Sequence, residues 1–363
     1  MHEADVVVEP TATATHESIA VGLPNSDGAS GQDAGCVSDP TPVLTVAHTE
    51  LDKIDFMMPM IVPSGNWLKN RSYFVIGTDP ATGDAYDVPV YAPVDMTLYG
   101  ITRYIESARD FDGNVLEQDQ YDLRFHVSCE VELGFDHVGR LVGAALELQP
   151  AEAARTTRDS MKSVRIAYTA GDLIGYSQGT GMAHTFDFLM TNSGSTIQYA
   201  NQERYETMGE LSRLRQATCP YDYYIEPMRS QYFALFGGWA GLMIGADECF
   251  GSPDVPGTLA GGWFGSPFEL GTEFAVVDWA LAVVPTADGR VEVNDAQRSV
   301  RADPDDPTNL APGLVTTEHC YQDYRSPASF AYLKLLSADE IAYALADGPC
   351  PSSLPTDFSV AYR

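Results

Sequence analysis

From Val46 onward the chain is a series of short apolar runs broken by turn residues. Ile54–Val62 is mostly apolar, carries Met57, Met58 and Met60, and stops at the turn signal Pro63-Ser64-Gly65-Asn66. Ser72–Ile76 predicts a strand, Asp79–Asp84 a loop, and Val88–Tyr91 with Met96–Ile105 a pair of strands that confine Pro93 to the turn between them. Asp110–Gln120 is acidic and polar and predicts an exposed hairpin loop. Leu123–Phe135 alternates, with Leu123, Phe125, Val127 and Cys129 on one face and Arg124, His126 and Ser128 on the other. Val138–Leu146 continues the strand pattern, and a polar insertion follows at Ala151–Met161. Val164–Thr169 and Leu173–Tyr176 predict strands about a Gly171-Asp172 turn. His184–Met190 closes the set after the flexible Gly179-Thr180-Gly181-Met182. Many short strands at this spacing indicate an all-β domain.

The period then changes. Tyr205, Met208, Leu211 and Leu214 recur at helical spacing within Asn201–Ala217, which ends at Cys219-Pro220. Glu226–Phe236 predicts a second short helix stopped by Gly237-Gly238. Strand patterns return at Gly257–Phe264, Glu273–Val284, Arg290–Val293 and Phe330–Leu336, with a Pro/Asp-rich loop at Ala302–Pro312 and a short helix at Ala338–Leu345. The expectation is a mainly β protein with no internal repeat. It has a flexible N-terminal segment (1–45), a β domain (46–195), a helical connector (196–235) and a C-terminal β-barrel or sandwich (236–363).

Composition narrows the partners. A hydrophobic fraction of 44% supports packed cores, while 51 acidic against 21 basic residues give a formal net charge of −30. Nucleic acids and anionic membrane surfaces repel such a chain. Lysine occurs only at positions 53, 69, 162 and 334. Solubility in high salt and GC-rich codon usage both produce this bias. No apolar stretch is long enough to span a bilayer, and the N-terminus lacks a basic region followed by an apolar run, as in a chain whose export signal has been removed. The cysteines (36, 129, 219, 249, 320 and 350) form no Cys-x-x-Cys pair, which argues against zinc ribbons and redox sites. Their even number suits disulfides in an exported protein. Sequence leaves fifteen pairings open; Cys219–Cys249 and Cys320–Cys350 are the two expected, and Cys36 is a candidate anchor for the N-terminal segment.

Four motifs carry the candidate chemistry: Val88-Pro-Val-Tyr-Ala-Pro-Val-Asp95, Val131-Glu-Leu-Gly-Phe-Asp-His-Val138, Ala170-Gly-Asp-Leu-Ile-Gly-Tyr176 and Ala183-His-Thr-Phe-Asp-Phe188. In this order they resemble the β-core of the lysostaphin-type zinc endopeptidases. That resemblance implies a zinc ion held by a His, an Asp four residues later and the second His of a His-x-His pair. Three protein ligands then leave an open position for a bound water of lowered pKa. The first motif falls at Asn70–Asp79, which contains no His; Ser72 or Tyr73 stands about where the ligand belongs. Phe135-Asp136-His137-Val138 matches the motif of a catalytic, non-ligand His. Aligned on Phe186-Asp187-Phe188, Asp187 replaces the remaining ligand His, and His184 is one residue out of place.

Two expectations follow from this resemblance. One is a peptidase-like scaffold without a cofactor: a non-catalytic extracellular or cell-envelope protein that binds cell-wall glycan or peptide, or a protein partner. The other is a metal-dependent hydrolase with a rearranged zinc site built from His137, His184, Asp187 and His126, in which His137 and His184 are catalytic. No Gly-x-Ser-x-Gly elbow, P-loop or dinucleotide fingerprint offers another template. Asp303–Pro307 gathers hard oxygen ligands without the ordered spacing of a calcium loop. Segments at Cys219–Pro227, Gly257–Phe264 and Cys320–Arg325 loosely resemble exported bacterial proteins with a peptidase-like domain in front. Trp263, Phe264 and Tyr321 are candidates for a sugar- or peptide-binding groove.

Overall fold

A computed structural model describes residues 36–363 except 59, 61–62, 65–66, 110–114, 155–160, 208, 238–248, 250–253, 269–278, 286–289, 304, 307 and 326–328. The first half supplies strands β1 (Ile54–Met58), β2 (Pro63–Ser64), β3 (Trp67–Leu68), β4 (Ser72–Ile76), β5 (Val88–Tyr91), β6 (Met96–Arg109), β7 (Val115–His126), β8 (Val131–Val138), β9 (Arg140–Leu141), β10 (Lys162–Tyr168), β11 (Leu173–Ser177) and β12 (Thr185–Asn192), with helix α1 (Gly143–Leu148). Helices α2 (Gln202–Thr207), α3 (Gly209–Arg215) and α4 (Met228–Ala234) follow. The chain ends with β13 (Gly261–Phe264), β14 (Trp279–Pro285), β15 (Val291–Asp295), β16 (Ser299–Ala302), β17 (Glu318–Gln322), β18 (Ser329–Ser337), β19 (Glu340–Asp347) and β20 (Ser359–Tyr362). The protein is mainly β, as the patterning predicts.

The large sheet has the order β1-β4-β12-β8-β7-β6-β10 and is antiparallel throughout. Its two faces differ because side chains alternate along each strand. Phe74, Leu98, Leu123, Phe125, Phe135, Phe186 and Phe188 are buried in one hydrophobic core. The opposite face carries Thr102, Asp122, Arg124, Asp136 and Asp187, also buried but polar. Gly134, in register with Arg124, leaves room on that face: a Cβ there would lie 2.9 Å from Arg124 Nη1.

Several local expectations change. Val88–Tyr91 does not pair with Met96–Arg109; β5 pairs with β11 in a separate sheet of order β5-β11-β9. The expected loop Asp110–Gln120 lies partly outside the described residues, and its remainder from Val115 extends the β6–β7 hairpin. Leu123–Phe135 is two strands, since the chain turns between His126 and Val131 with Ser128 Oγ accepting from the backbone N–H groups of Glu130 and Val131. Val138–Leu146 is not one strand, because the chain turns at Gly143 (φ +55°) into α1. Residues 36–45 of the expected flexible segment are held in place. Cys36 is bonded to Cys129, Leu44 is wholly buried, and its N–H donates to the Tyr223 carbonyl.

The connector helices are short and add Tyr205, Leu211, Tyr232 and Phe233 to the same core as the large sheet. The last sheet runs β16-β15-β14-β13-β20-β19-β18-β17, and its ends nearly meet. Ala302 bridges Asp323, and Tyr324 N–H donates to the Arg301 carbonyl at 3.0 Å. Leu281, Val283, Val291, Val293, Leu333 and Ile341 fill the inside of this barrel-like sheet. On β14 the intervening Ala282 and Val284 join the other core. That strand is therefore apolar on both faces, which explains its unbroken Ala-Leu-Ala-Val-Val sequence. Ala338–Leu345 is not a helix. It supplies the two-residue turn after β18 and most of β19, paired on both edges, and this pairing overrides the helical preference of its alanines. Both expected disulfides are present, Cys219–Cys249 and Cys320–Cys350, beside Cys36–Cys129. Among the described residues no helix is long and apolar enough to cross a membrane.

Candidate functional site

The polar face of the large sheet holds the candidate site, and a bulge creates it. Tyr121 pairs with Val138 and Leu123 with Phe135, so Asp136 and His137 together oppose the single residue Asp122. In a regular strand the two would point to opposite faces. Here His137 has φ +64°, and its ring meets Tyr104 and Gln120 on the face that carries Asp136. Bulges of this kind re-aim side chains at the cost of local pairing. The left-handed conformation is itself unfavourable for a residue with a Cβ, by roughly 1–2 kcal/mol.

Neighbouring strands bring in the rest. Asp187 on β12 stands in register with Asp136 on one side and Tyr73 on the other. Arg71, just before β4, reaches across: its Nη1 lies 2.8 Å from Asp136 Oδ2 and 3.2 Å from Asp187 Oδ2. Tyr104 on β6 donates its hydroxyl to Asp136 Oδ1 at 2.7 Å, and the His137 N–H donates to the same oxygen at 2.9 Å. Gln120 on β7 donates Nε2–H to the Gly179 carbonyl at 3.0 Å, which directs its Oε1 to His137 Nδ1 at 2.6 Å. An amide oxygen can only accept, so Nδ1 carries a proton, and in the neutral ring Nε2 presents a lone pair. Nε2 lies 3.8 Å from Asp187 Oδ2. Asp187 Oδ1 is buried and has no hydrogen-bond partner among the described residues.

Charge is distributed unevenly over the acids. For Asp136, burial favours the neutral form but His137, Arg71 and the Tyr104 hydroxyl outweigh it, and its pKa falls to about 2. Burial pushes Asp187 up, assisted by the charge of Asp136 and opposed by His137 and Arg71. Burial also raises Asp122, against the pull of Arg124, whose Nη2 donates to Asp122 Oδ2 at 2.6 Å. Burial opposes the charge on Arg71, yet the two carboxylates beside it keep the guanidinium firmly protonated.

Asp136, His137 and Asp187 offer ligand atoms within 4.8 Å of one another, the one such group among the described residues. His137 and Asp187 were both expected from sequence; Asp136, Arg71, Tyr104 and Gln120 were not. Extended beyond Leu123–Phe135, the alternation puts Asp136 and Gln120 on the polar face, but the expected loop at Asp110–Gln120 hid Gln120, and an arginine outside any motif gives no reason to be singled out. His184 sits in the turn into β12 with φ +49°, its N–H donating to the Thr180 carbonyl at 3.0 Å, and it is not in the group. His126 is at the far end of β7, five residues from Tyr121 and so about 16 Å away along the strand. It stacks on Tyr99 at 4.0 Å beside Glu132. Trp263, Phe264 and Tyr321 have no exposed surface; Trp263 and Tyr321 fill the barrel and Phe264 joins the larger core, so these aromatics act in packing and present no groove.

A zinc ion fits this donor set poorly. Both Oδ2 atoms are engaged by Arg71, Asp136 Oδ1 by Tyr104 and the backbone, and His137 Nδ1 by Gln120. His137 Nε2 and Asp187 Oδ1 are left, fewer than the three protein ligands of a catalytic zinc site. Comparisons with protein-family models, curated proteins and solved structures returned no match.

Proposed function

We propose that this is an exported, non-catalytic binding protein on a peptidase-like scaffold, in which Arg71 supplies the positive charge that a metal ion would bring. The observation that carries this reading is the single guanidinium nitrogen bridging Asp136 and Asp187. An arginine there neutralises the carboxylates and cannot activate water. The three disulfides support an oxidising, extracellular or cell-envelope location. The ligand of this reading is cell-wall glycan or peptide, or a protein partner, since the net charge of −30 disfavours polyanions. Sedimentation with purified peptidoglycan is expected to retain the protein. Absence of retention at any salt concentration contradicts the wall-binding form and leaves a protein partner.

A second reading, a metal-dependent hydrolase, is favoured by the Asp136–His137–Asp187 group and by the Nδ1–H to Gln120 contact, which orients the imidazole as in metal-bound histidines. It requires Arg71 to withdraw. The two readings part on metal content.

A further inference from the structure

His48 lies on the other face of the large sheet, in the middle of the aromatic core, and has no exposed surface. Phe74 on β4, Phe135 on β8, and Phe186 and Phe188 on β12 surround its ring with centroids 4.2–6.0 Å away. The connector closes the box: Tyr232 on α4 stacks on the imidazole at 5.3 Å, and Tyr224 lies at 6.4 Å. Both hydroxyls converge on Nδ1, Tyr224 at 3.0 Å and Tyr232 at 2.8 Å, while the His48 N–H donates to Tyr232 Oη at 3.1 Å. Nε2 is buried and has no hydrogen-bond partner among the described residues. The His48 carbonyl accepts from Tyr91 N–H at 2.9 Å, so the residue joins β5, the sheet and the connector at one point.

Whichever nitrogen holds the proton in the neutral ring, the imidazolium must place an N–H at Nε2, which is buried among aromatic rings with no acceptor among the described residues. The titratable groups facing the ring are the phenols of Tyr224 and Tyr232, and burial holds both neutral. Among the described residues no carboxylate pairs with the ring from any of the surrounding elements. Aromatic faces attract a cation, but less strongly than water does.

We propose that His48 is an acid-sensitive latch: protonating its imidazole releases the connector from Tyr224 to Ala234 from the aromatic face of the large sheet. The proton is taken up in the opened form, where water reaches Nε2, and closure expels it. Burial lowers the His48 pKa to about 3, in accord with this geometry. A group whose folded pKa is depressed weakens the closed form progressively as pH falls below the free value of 6.5. The Cys219–Cys249 bond keeps the released segment tethered near its start. The inference is independent of the ligand-binding reading.

Hydrogen exchange, corrected for the pH dependence of intrinsic rates, tests the latch on the full chain. Between pH 6.5 and 4.5 the opening equilibrium of residues 224–234 is expected to rise about 50-fold for one proton, approaching tenfold per pH unit at the acid end of that window. Residues 291–302 of the barrel should keep their protection. In His48→Phe the dependence should disappear from residues 224–234. Equal loss in the barrel, no loss in the connector, or the same loss in His48→Phe overturns the proposal. Imidazole nitrogen shifts of the wild-type protein keep it testable if that variant does not fold. A ring that stays neutral while the connector is protected supports the latch; one that titrates near 6.5 with the connector still protected overturns it.

Discussion

At the residue scale the site depends on one strained position. His137 carries a side chain in a left-handed conformation so that its imidazole can share a face with Asp136. Glycine adopts that conformation without the steric cost, whereas alanine keeps the cost and loses the ring. Both substitutions remove the contacts to Tyr104 and Gln120. His137→Gly is therefore expected to be more stable than His137→Ala by about 1–2 kcal/mol in denaturant unfolding. Equal stabilities, or a more stable alanine variant, would show that the bulge does not hold the strained conformation. The residue identities were half legible here. His137 and Asp187 follow from the aromatic-x-His pattern and the Phe-x-Phe strand, because chemistry-bearing residues inside apolar runs stand out. Arg71 does not, because its role comes from strand pairing: β4 lies beside β12, and β12 beside β8, and only that order brings residues 71, 187 and 136 together.

At the element scale most strands were readable because their apolar runs are short and bounded by turn residues. Ser72–Ile76 and Val88–Tyr91 coincide with β4 and β5. Pairing was less readable. β5 and β6 are consecutive, and proximity in sequence suggested a hairpin, but β5 is bound to β11, some eighty residues further on. Ile341 and Leu345 have a spacing that serves a helix as well as a strand, and alanines between them favour the helix; partners on both sides decided for β19. Residues 1–35 of the expected flexible segment lie outside the described residues; Cys36 was the expected anchor and is bonded to Cys129, whereas the packing of Leu44 was not expected, because it is isolated in a polar stretch and only long-range contacts fix it. Cys36–Cys129 closes a loop with a sequence separation of 93. In the chain-entropy model such a bridge contributes about 4–5 kcal/mol, an upper value where the unfolded chain keeps structure. Replacing both cysteines by serine is expected to lower the unfolding free energy by several kcal/mol, more than the same change at Cys320 and Cys350, whose separation is 30. The opposite ranking would show that native-state strain, and not loop length, governs these bridges.

At the scale of the whole molecule, two β assemblies share one apolar strand, and their composition announced the class. Enough hydrophobic residues for packed cores, an even set of spread cysteines and period-two patterning together predict a mainly β, disulfide-bonded chain, which is what the structure shows. Composition gives no information on whether a polar sheet face binds a metal or an arginine. Charge bookkeeping at that face does: Asp122, Asp136 and Asp187 stand against Arg71 and Arg124, and removing one cation leaves buried carboxylates uncompensated, at a cost of about 3–5 kcal/mol. A divalent ion is the natural replacement for the lost cation. The most direct measurement is zinc binding, by calorimetry and elemental mass spectrometry, to the wild-type protein and to Arg71→Ala purified without chelator. The account predicts that the wild-type chain purifies without stoichiometric zinc and binds added zinc weakly, and that Arg71→Ala gains an affinity which His137→Ala or Asp187→Ala then abolishes. Stoichiometric zinc in the wild-type protein, lost on His137→Ala or Asp187→Ala, would contradict it and make the hydrolase reading the working one.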